Sequence, residues 1–211
     1  MKRQLYCAII GDINNSRALE DRNRVQRKFE RTITAINKEF RLEIASRFQI
    51  TLGDEFQGVL RSPAESYRII RRVTQLMYPV QFTFGVGVGT ISTAFKKEPI
   101  AMDGDVFHRA RNALDRSKRR KRRLSYDFDH PSLEVANALV QLMEVQHGRL
   151  TPRQQEVSLL IRQHGNQTRV AKLLRVSQPA IWKAMSTSGI RELHEAEQAL
   201  GQFLSSVMSP S

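Results

Sequence analysis

The chain has 211 residues, one cysteine and a net charge of +13. This length is enough for one domain with a full hydrophobic core and a smaller second domain. A single cysteine excludes a disulfide framework, and Cys7 lies in an apolar segment, where we expect a core residue rather than a nucleophile. No run approaches the ~20 apolar residues that cross a bilayer. The first residues lead into an apolar run too short for a signal peptide, so we expect a cytoplasmic protein with no membrane partner.

The positive charge is concentrated in the first part of the chain. Residues 131–211 hold 8 Lys/Arg and 6 Asp/Glu, which leaves 26 and 15 for residues 1–130 and a net charge of +11 there. Six of these basic residues form one run at 118–123. An excess of this size indicates a polyanionic partner. The run itself fits either a solvated connection or a patch that contacts phosphate.

Two acidic segments indicate a cation site. Residues 5–13 form an apolar run, typical of a buried strand, that carries one acid, Asp12, near its end. Residues 49–60 read as two apolar runs joined by a turn at Asp54 and Glu55, which predicts a β-hairpin with carboxylates at its tip. A solvated turn is the alternative for this tip. If the strand lies beside the hairpin, Asp12 and Asp54 form a two-carboxylate cation site.

Helical spacing of apolar residues predicts three helices in the first 130 residues. The first follows Ser16, which is placed to cap it. A second opens at Pro63, and a third follows the acidic segment at 103–105. Because a helix N-terminus directly after a strand favours anions, the loop around Arg17 is a candidate anion site. An ordinary strand-to-helix connection is the alternative.

Two more strands complete the predicted sheet. Residues 80–91 alternate with period two, and the glycines at 85, 87 and 89 leave one face bare. Such a face is typical of close approach by another backbone or a ligand. Residues 124–128 are predicted to form an edge strand. The order strand, helix, strand, strand, helix, strand predicts an α+β, ferredoxin-like fold with an antiparallel sheet and its helices on one face.

Residues 167–184 match a helix-turn-helix pattern within a small all-α region. Ala171 is the small residue where the two helices cross, and Ser177 is placed to cap the second helix. Arg175 stands in the turn position usually given to glycine, at a cost on the order of 1 kcal/mol if the backbone there is left-handed. Five apolar residues are expected to hold the two helices together: Val170, Leu174, Val176, Ile181 and Ala184.

The exposed side of this motif is expected to contact double-stranded DNA through bases or phosphates of the major groove. The candidate contacts are Thr168, Ser177, Gln178, Trp182, Lys183 and Ser186. Because helix-turn-helix proteins usually read two half-sites as dimers, we expect a homodimer. A helical interaction module that never contacts DNA is the alternative.

Four motifs, taken in order, resemble the SatD family. They are Gly-Asp-Ile at 11–13, Ile-Thr-Leu-Gly-Asp-Glu-Phe-Gln-Gly at 50–58, Phe-Gly-Val-Gly-Val-Gly at 84–89, and Asp-Gly-Asp at 103–105 followed by Arg-Ala-Arg at 109–111. The same motifs are similar to the palm domain of class III nucleotide cyclases and of GGDEF diguanylate cyclases. The predicted division is a palm-like domain over residues 1–130, a linker helix over 131–149 and a helix-turn-helix domain over 150–211.

The resemblance to cyclases implies a nucleotide site with Mg²⁺. It implies that Asp12 and Asp54 hold two Mg²⁺ ions with the Ile13 carbonyl assisting, and the adjacent Glu55 is assigned to the same metal site. Hard oxygen ligands of this kind suit Mg²⁺. The resemblance further implies that Arg111 meets charge developing on phosphate.

A second set of residues is assigned to the phosphates. The resemblance implies that the loop after the first strand wraps a triphosphate, and the hairpin turn is included in this nucleotide-binding set. The residues are Asn14, Asn15, Ser16, Arg17 and Gly53. The chain departs from the cyclases at Phe107, near the place of their ribose-orienting Asn, and from the GGDEF signature at Leu52.

Together these features predict a DNA-binding transcriptional regulator whose palm-like domain binds a nucleotide with Mg²⁺ as its ligand. Two alternatives stay open at this point. One is an active nucleotidyl cyclase or nucleotidyltransferase with an accessory helix-turn-helix. The other is a DNA-binding protein whose inactive palm domain serves for dimerisation.

Overall fold

The computed structural model describes residues 4–18, 20–94 and 102–208, and has an α+β fold with one five-stranded sheet. The helices and strands of this described part are β1 (Leu5–Ile13), α1 (Arg22–Glu39), β2 (Ile44–Leu52), β3 (Glu55–Leu60), α2 (Ser66–Met77), β4 (Phe82–Thr90), α3 (Asp105–Arg119), β5 (Leu124–Asp127), α4 (Leu133–Arg149), α5 (Pro152–His164), α6 (Gln167–Leu174), α7 (Gln178–Ser188) and α8 (Ile190–Ser206).

The chain divides into two compact units. The sheet unit comprises Met1–Ala138 and Gly201–Ser211, and the helical unit comprises Leu139–Leu200. The functional boundaries predicted at residues 130 and 149 stay a prediction. None of the helices in the described part is both long enough and apolar enough to span a membrane.

β1 is the central strand of the sheet. The strand order is β2-β3-β1-β4-β5, and β1 pairs antiparallel with both of its neighbours. Cys7, Ala8 and Ile9 are fully buried, because both edges of the strand are paired and both of its faces are covered. Burial raises the pKa of the Cys7 thiol, so this residue stays an uncharged part of the core, as the sequence predicted.

The sheet is mixed, whereas the sequence predicted an antiparallel one. β5 pairs with β4 in parallel, with Leu124 opposite Phe84. The physical reason is the length of the connection between these strands. α3 carries the chain from the end of β4 back to its start, so β5 runs in the same direction as β4. The position predicted for this edge strand is confirmed, and its direction is the part that was wrong.

Helices cover both faces of the sheet, which also corrects the prediction. α3 packs on the face that carries Ala8, where Ala110 completes a buried apolar cluster. α1 lies on the other face, where the Phe29 ring is 5.9 Å from the Phe56 ring. Phe56 is opposite Gly11 in the sheet, so both belong to the same face. Because successive residues of a strand alternate between faces, this face is the one opposite Ala8.

The bare glycine face of β4 is filled by the backbone of α3. A Cβ atom at Gly85 would lie 2.2 Å from the Ala110 carbonyl oxygen, and one at Gly87 would lie 2.3 Å from the Ala110 nitrogen. Only a strand face without side chains allows a helix to pack this closely. The predicted close approach is therefore confirmed, and the neighbour is a helix backbone.

Ser16 does not cap α1, contrary to the prediction. The helix begins at Arg22, and the Asp21 carboxylate caps it by accepting a 2.9 Å hydrogen bond from the Arg24 N–H. A short 3-10 turn at Ser16–Ala18 precedes the helix and leaves the Ser16 hydroxyl for another partner.

In the helical unit, α6 and α7 are joined by a three-residue turn. Arg175 has a left-handed backbone (φ 53°, ψ 44°), and Ser177 caps α7 by accepting a hydrogen bond from the Ala180 N–H. Val170 and Ile181 are buried, as the sequence predicted. Val176 is 38% exposed, which corrects its predicted place in the core, because its position in the turn points it outward.

Candidate functional site

One end of the sheet collects most of the predicted site residues. β1 ends where β3 and β4 begin, because it runs antiparallel to both, and β5 begins there as well, because it is parallel to β4. The described segments that lie at this end are 14–18, 20–21, 53–54, 78–81 and 120–123. We call it the Asp12 end of the sheet. Pairing of the strands thus brings the loop after β1, the hairpin tip and the end of the basic run to one edge.

Asp12 and Glu55 face each other across β1 and β3. Directly opposite residues of antiparallel strands point to the same face, and two carboxylates in that position repel each other unless cations lie beside them. α3 supplies a cation to each. Lys118 Nζ lies 2.6 Å from Asp12 Oδ2, and the Arg111 guanidinium donates to both carboxylate oxygens of Glu55 at 2.6 and 2.8 Å.

Arg111 and Lys118 are seven residues apart on α3, which is close to two turns and places them on one side of the helix. Hydrogen bonding to Glu55 raises the pKa of Arg111 above its ordinary value, and partial burial offsets part of that rise. The bidentate pair uses two of the five guanidinium N–H groups. Among the described residues nothing else bonds to the three remaining N–H groups of this half-exposed, permanently charged side chain, so they can donate to an anion.

Lys118 is the site residue that sequence reasoning missed. The sequence indicates only that Lys118 is the first member of the basic run, and it does not predict the contact with Asp12. The signal was present in the helical spacing: a residue two turns after Arg111 on the same helix lies on the same face. Recognition of that spacing would have placed Lys118 beside the carboxylates.

The hairpin tip lies beside the end of β1. The Ile13 N–H donates a 2.9 Å hydrogen bond to the Asp54 carbonyl oxygen, and the Ser16 hydroxyl donates a 2.6 Å hydrogen bond to Asp54 Oδ2. Glu55, rather than Asp54, is the residue opposite Asp12. The structure therefore places the Asp54 carboxylate against the loop after β1, at the same end of the sheet as Asp12.

The other residues assigned to the phosphates have different surroundings. Asn14 ties the loop to β4, because its Oδ1 accepts a 2.7 Å hydrogen bond from the Thr83 hydroxyl. Asn15 and Gly53 both have left-handed backbones, with φ of 53° and 50°. Asn15, Arg17 and Gly53 are exposed. The loop and the turn thus present open backbone at the Asp12 end.

The oxygen ligands at this end fit Mg²⁺ if phosphates complete the coordination. The carboxylates of Asp12 and Asp54 and the carbonyl of Ile13 are the hard ligands that Mg²⁺ prefers. Within residues 4–18, 20–94 and 102–208, no group of three or more His, Cys, Asp or Glu side chains could hold a metal ion by itself. Two carboxylates are nevertheless the usual protein share of a site in which Mg²⁺ is also bound by substrate phosphates.

The residues assigned to DNA contact lie in α6, in the turn and in α7. Trp182 is 52% exposed. The Ser177 hydroxyl accepts the capping hydrogen bond of α7, and Gln178 donates a 2.9 Å hydrogen bond to Gln167. The remaining members of the set are exposed: Thr168, Lys183 and Ser186.

The sequence model of the SatD family matches residues 6–201. The chain belongs to the SatD family. The motifs that resemble the family all lie within residues 1–130, but the family model extends well past them. It therefore also covers the helical unit of this SatD protein. No curated protein matches the chain.

Several solved structures similar to this SatD protein are nucleotide cyclases. The dimeric guanylyl cyclase domain of a RhoGC fusion protein from Blastocladiella emersonii is 15% identical, with 55% of this chain and 76% of that chain covered and a TM-score of 0.42. The guanylate cyclase domain of RhGC from Catenaria anguillulae, in complex with GTP, is 14% identical over 55% and 75%, with a TM-score of 0.42. A bacterial light-regulated adenylyl cyclase is 12% identical over 60% and 77%, with a TM-score of 0.43.

Proposed function

We propose that the sheet unit binds a nucleoside triphosphate together with Mg²⁺ at the Asp12 end. The observation that carries this proposal is the arrangement of charge on β1, β3 and α3. Asp12 and Glu55 lie opposite each other, and Lys118 and Arg111 approach them from one helix. The Asp12 carboxylate, which can attract a divalent cation, thus lies beside two side chains that can attract phosphate oxygens.

Each part of this site has a separate task in the proposal. Asp12 and Asp54 would hold the ion, which neutralises and orients the phosphates when it is bound. Arg111 and Lys118 would donate hydrogen bonds to phosphate oxygens. The loop at 15–17, in which Asn15 and Arg17 are exposed, would contribute backbone N–H groups, which are well suited to anions in a loop of this kind.

Glu55 has a positioning task rather than a metal-binding one in this proposal. Its carboxylate is largely buried and holds the guanidinium of Arg111 with two hydrogen bonds. A planar bidentate pair fixes the direction of the guanidinium as well as its place. Arg111 is therefore oriented before a phosphate arrives, which lowers the cost of ordering it on binding.

Calorimetric titration of the full chain with the four ribonucleoside triphosphates and with cyclic nucleotides, with and without Mg²⁺, tests the proposal. We expect triphosphate binding that is strengthened by Mg²⁺, and loss of this Mg²⁺ dependence in Asp54→Asn. Asp129→Asn is the matched control, because it removes an exposed carboxylate from the sheet unit away from the Asp12 end. Absence of binding, or identical Mg²⁺ dependence in both variants, would refute the nucleotide site.

The same samples decide whether the site also catalyses a reaction. Release of pyrophosphate during incubation with a triphosphate and Mg²⁺, abolished in Asp54→Asn, would establish a cyclase or nucleotidyltransferase. Binding without turnover would make the nucleotide a ligand of the sheet unit.

A second candidate function is DNA binding by α6 and α7. The specific observation is that two short helices are joined by a three-residue turn, with a left-handed residue at 175, a capped second helix, and an open face that bears Trp182 and Lys183. A helix presented in this way can enter a major groove. Since such motifs usually act in pairs, this candidate includes a homodimer, which light scattering of the full chain would measure.

The test of DNA binding is the salt dependence of affinity for duplex DNA. Each phosphate contact contributes about 0.9 to the slope of log K against log salt concentration. We expect Lys183→Gln to lower this slope by about one contact and Arg149→Gln, which removes an exposed cation at the end of α4, to leave it unchanged. Equal slopes in the unaltered protein and Lys183→Gln would exclude α7 as the helix that contacts DNA.

A further inference from the structure

The basic run at 118–123 carries more positive charge than the nucleotide site can use. Lys118 is paired with Asp12. Within the described part of the chain, the other five residues of the run have no carboxylate within ion-pair distance. The C-terminus of α3 favours one or two cations through its dipole, but that effect falls off within the last turn. The remaining positive charge therefore faces solvent at the Asp12 end.

The run forms a turn that is fixed by its backbone. The Arg122 N–H donates a 2.9 Å hydrogen bond to the Ser117 carbonyl, and the Arg123 carbonyl accepts a 2.7 Å hydrogen bond from the Phe84 N–H. Lys121 has a left-handed backbone with φ of 53°. Because main-chain bonds hold the turn, the side chains are not needed to build it, and those of 119, 120, 121 and 123 are exposed.

A second group of cations lies at the same end of the sheet. Arg17 belongs to the loop after β1, and Arg22 and Arg24 belong to the first turn of α1. All three are exposed. α1 and α3 lie on opposite faces of the sheet, so positive charge lies on both sides of the edge at which Asp12 and Asp54 are found.

We infer that residues 119–123 bind the phosphate backbone of a nucleic acid chain that passes across the Asp12 end. Five cations in series match a polymer with a regular repeat of negative charge, whereas a single triphosphate is already served by Arg111 and Lys118. The run contains no apolar or aromatic side chain, so it lacks both the means to insert into a lipid surface and the means to stack on bases. Contact with the backbone alone makes the binding independent of base sequence.

Two variants with equal loss of charge test this surface. The first is Arg119→Gln, Arg120→Gln and Arg123→Gln combined. The second is Lys38→Gln, Arg41→Gln and Arg61→Gln combined, which removes three exposed cations from the opposite end of the same sheet. Both variants leave the proposed nucleotide site and α7 unchanged, so any nucleic acid contact made there contributes equally to the affinity of the two variants. Melting curves of both variants confirm that they fold.

The measurement is fluorescence anisotropy of labelled oligonucleotides of about 20 nucleotides, as single-stranded DNA, duplex DNA and single-stranded RNA, over a range of salt concentrations. We expect the first variant to lower the slope of log K against log salt concentration by about 2, and its affinity at low salt by at least about tenfold, while the second changes the slope by less than 1. The ranking of the three oligonucleotides identifies which nucleic acid the surface prefers. Equal losses in the two variants would show an effect of net charge alone and would overturn the proposal.

Titration of the first variant with a triphosphate and Mg²⁺ separates this surface from the nucleotide site. Unchanged triphosphate affinity beside weakened oligonucleotide binding supports two distinct contacts at one end of the sheet. Weakened triphosphate binding with unchanged oligonucleotide binding would assign the run to the nucleotide and overturn the inference. Because the oligonucleotide assay contains no triphosphate, its result does not depend on the nucleotide proposal.

Discussion

Glu55 and Arg111 form a bidentate ion pair in which the carboxylate is buried and the guanidinium is half exposed. The Glu55 side chain is 8% exposed and that of Arg111 is 44% exposed. The pair joins the first residue of β3 to the middle of α3. β1 is hydrogen-bonded to β3 in the sheet, and its side chains pack against α3. This difference in burial affects stability, because water can solvate the Arg111 guanidinium when the pair is broken but has little access to the Glu55 carboxylate.

We expect Arg111→Gln to destabilise the protein more than Glu55→Gln. The first leaves an unpaired carboxylate in a buried position, whereas the second leaves a guanidinium that water can reach. After allowance for the exposure of Arg111, the expected losses are about 2 and about 1 kcal/mol. Urea unfolding followed by circular dichroism measures both. Equal losses, or a larger loss for Glu55→Gln, would contradict this account of the pair.

Lys118 is expected to affect the binding of Mg²⁺ and of a triphosphate in opposite directions. Its ammonium group occupies the Asp12 carboxylate, for which a divalent cation would compete. Lys118→Gln should therefore strengthen the binding of Mn²⁺, used as a spectroscopic substitute for Mg²⁺, and weaken that of a triphosphate, each by about tenfold for about 1.4 kcal/mol. Electron paramagnetic resonance measures free Mn²⁺, and calorimetry measures the nucleotide. A change of both affinities in the same direction would be inconsistent with this competition.

Gly85 is expected to tolerate no larger residue. A Cβ atom there would lie 2.2 Å from the Ala110 carbonyl and 2.3 Å from the Leu114 nitrogen, and helix backbone cannot yield as a flexible side chain does. Gly85→Ala should cost about 1–3 kcal/mol or more through overpacking. Gly148→Ala is the control, since nothing lies within 4 Å of its Cβ position on α4, and it should be neutral or stabilising. Thermal and urea denaturation distinguish the two outcomes.

The left-handed backbone at Arg175 predicts a stabilising substitution. Its φ of 53° is unfavourable for a residue with a side chain, so Arg175→Gly should stabilise the helical unit by about 1 kcal/mol. Arg169→Gly is the matched control, because the same change within the regular backbone of α6 should destabilise by about 0.5–1 kcal/mol. Trp182 is the single tryptophan of the chain and lies in this unit, so its fluorescence follows the unfolding of the unit.

Acidification is expected to destabilise the helical unit through a buried polar cluster. Burial and the charge of Arg162 lower the pKa of His194 below its ordinary value of 6.5. Burial alone would raise the pKa of Glu197, but hydrogen bonding to His147 and the charge of Arg162 lower it below 4.5. For both groups the folded state binds protons less readily than the unfolded chain. The stabilisation that each group contributes is therefore fully present above its ordinary pKa and is lost as the pH falls. The contribution of His194 declines below pH 6.5, and that of Glu197 declines below pH 4.5.

The measurement for this cluster is the melting temperature of the helical unit, read from Trp182 fluorescence, between neutral pH and about pH 5. His194→Gln should reduce the fall in melting temperature over this range, because it removes a group whose lowered pKa contributes to that fall. It also retains a hydrogen-bonding side chain for the Ser158 hydroxyl, which lies 2.9 Å from His194 Nε2. His164→Gln, which changes a histidine outside this cluster at the end of α5, should leave the fall unchanged. A fall of the same size in His194→Gln would remove His194 as its source.

Most of the individual elements of the fold were predictable because their signals are local. The apolar run at 5–13, the two arms of the hairpin and the cap at Ser177 each depend on residues within a few positions of one another. The bare glycine face of β4 also predicted the close approach of a neighbouring backbone or ligand. The N-cap of α1 was harder to predict, because Ser16 and Asp21 are both suitable capping residues and only Asp21 caps the helix.

The pairing of the site residues was not predictable in the same way. A shift of one residue in register decides whether Asp54 or Glu55 lies opposite Asp12, and the hairpin sequence is compatible with both. Arg111 and Lys118 reach the carboxylates only because α3 packs on the glycine face of β4, which depends on contacts distant in sequence.

The sequence by itself determined the order and type of the strands and helices in the first 130 residues, the excess of positive charge there, and the presence of carboxylates at the end of β1 and at the hairpin tip. These properties follow from composition and from short-range periodicity. Only the tertiary structure decided that β5 is parallel to β4, that helices cover both faces, and that Lys118 and Arg111 lie beside Asp12 and Glu55. Strand direction, register and helix placement are set by long-range packing, which no short segment of the chain encodes alone.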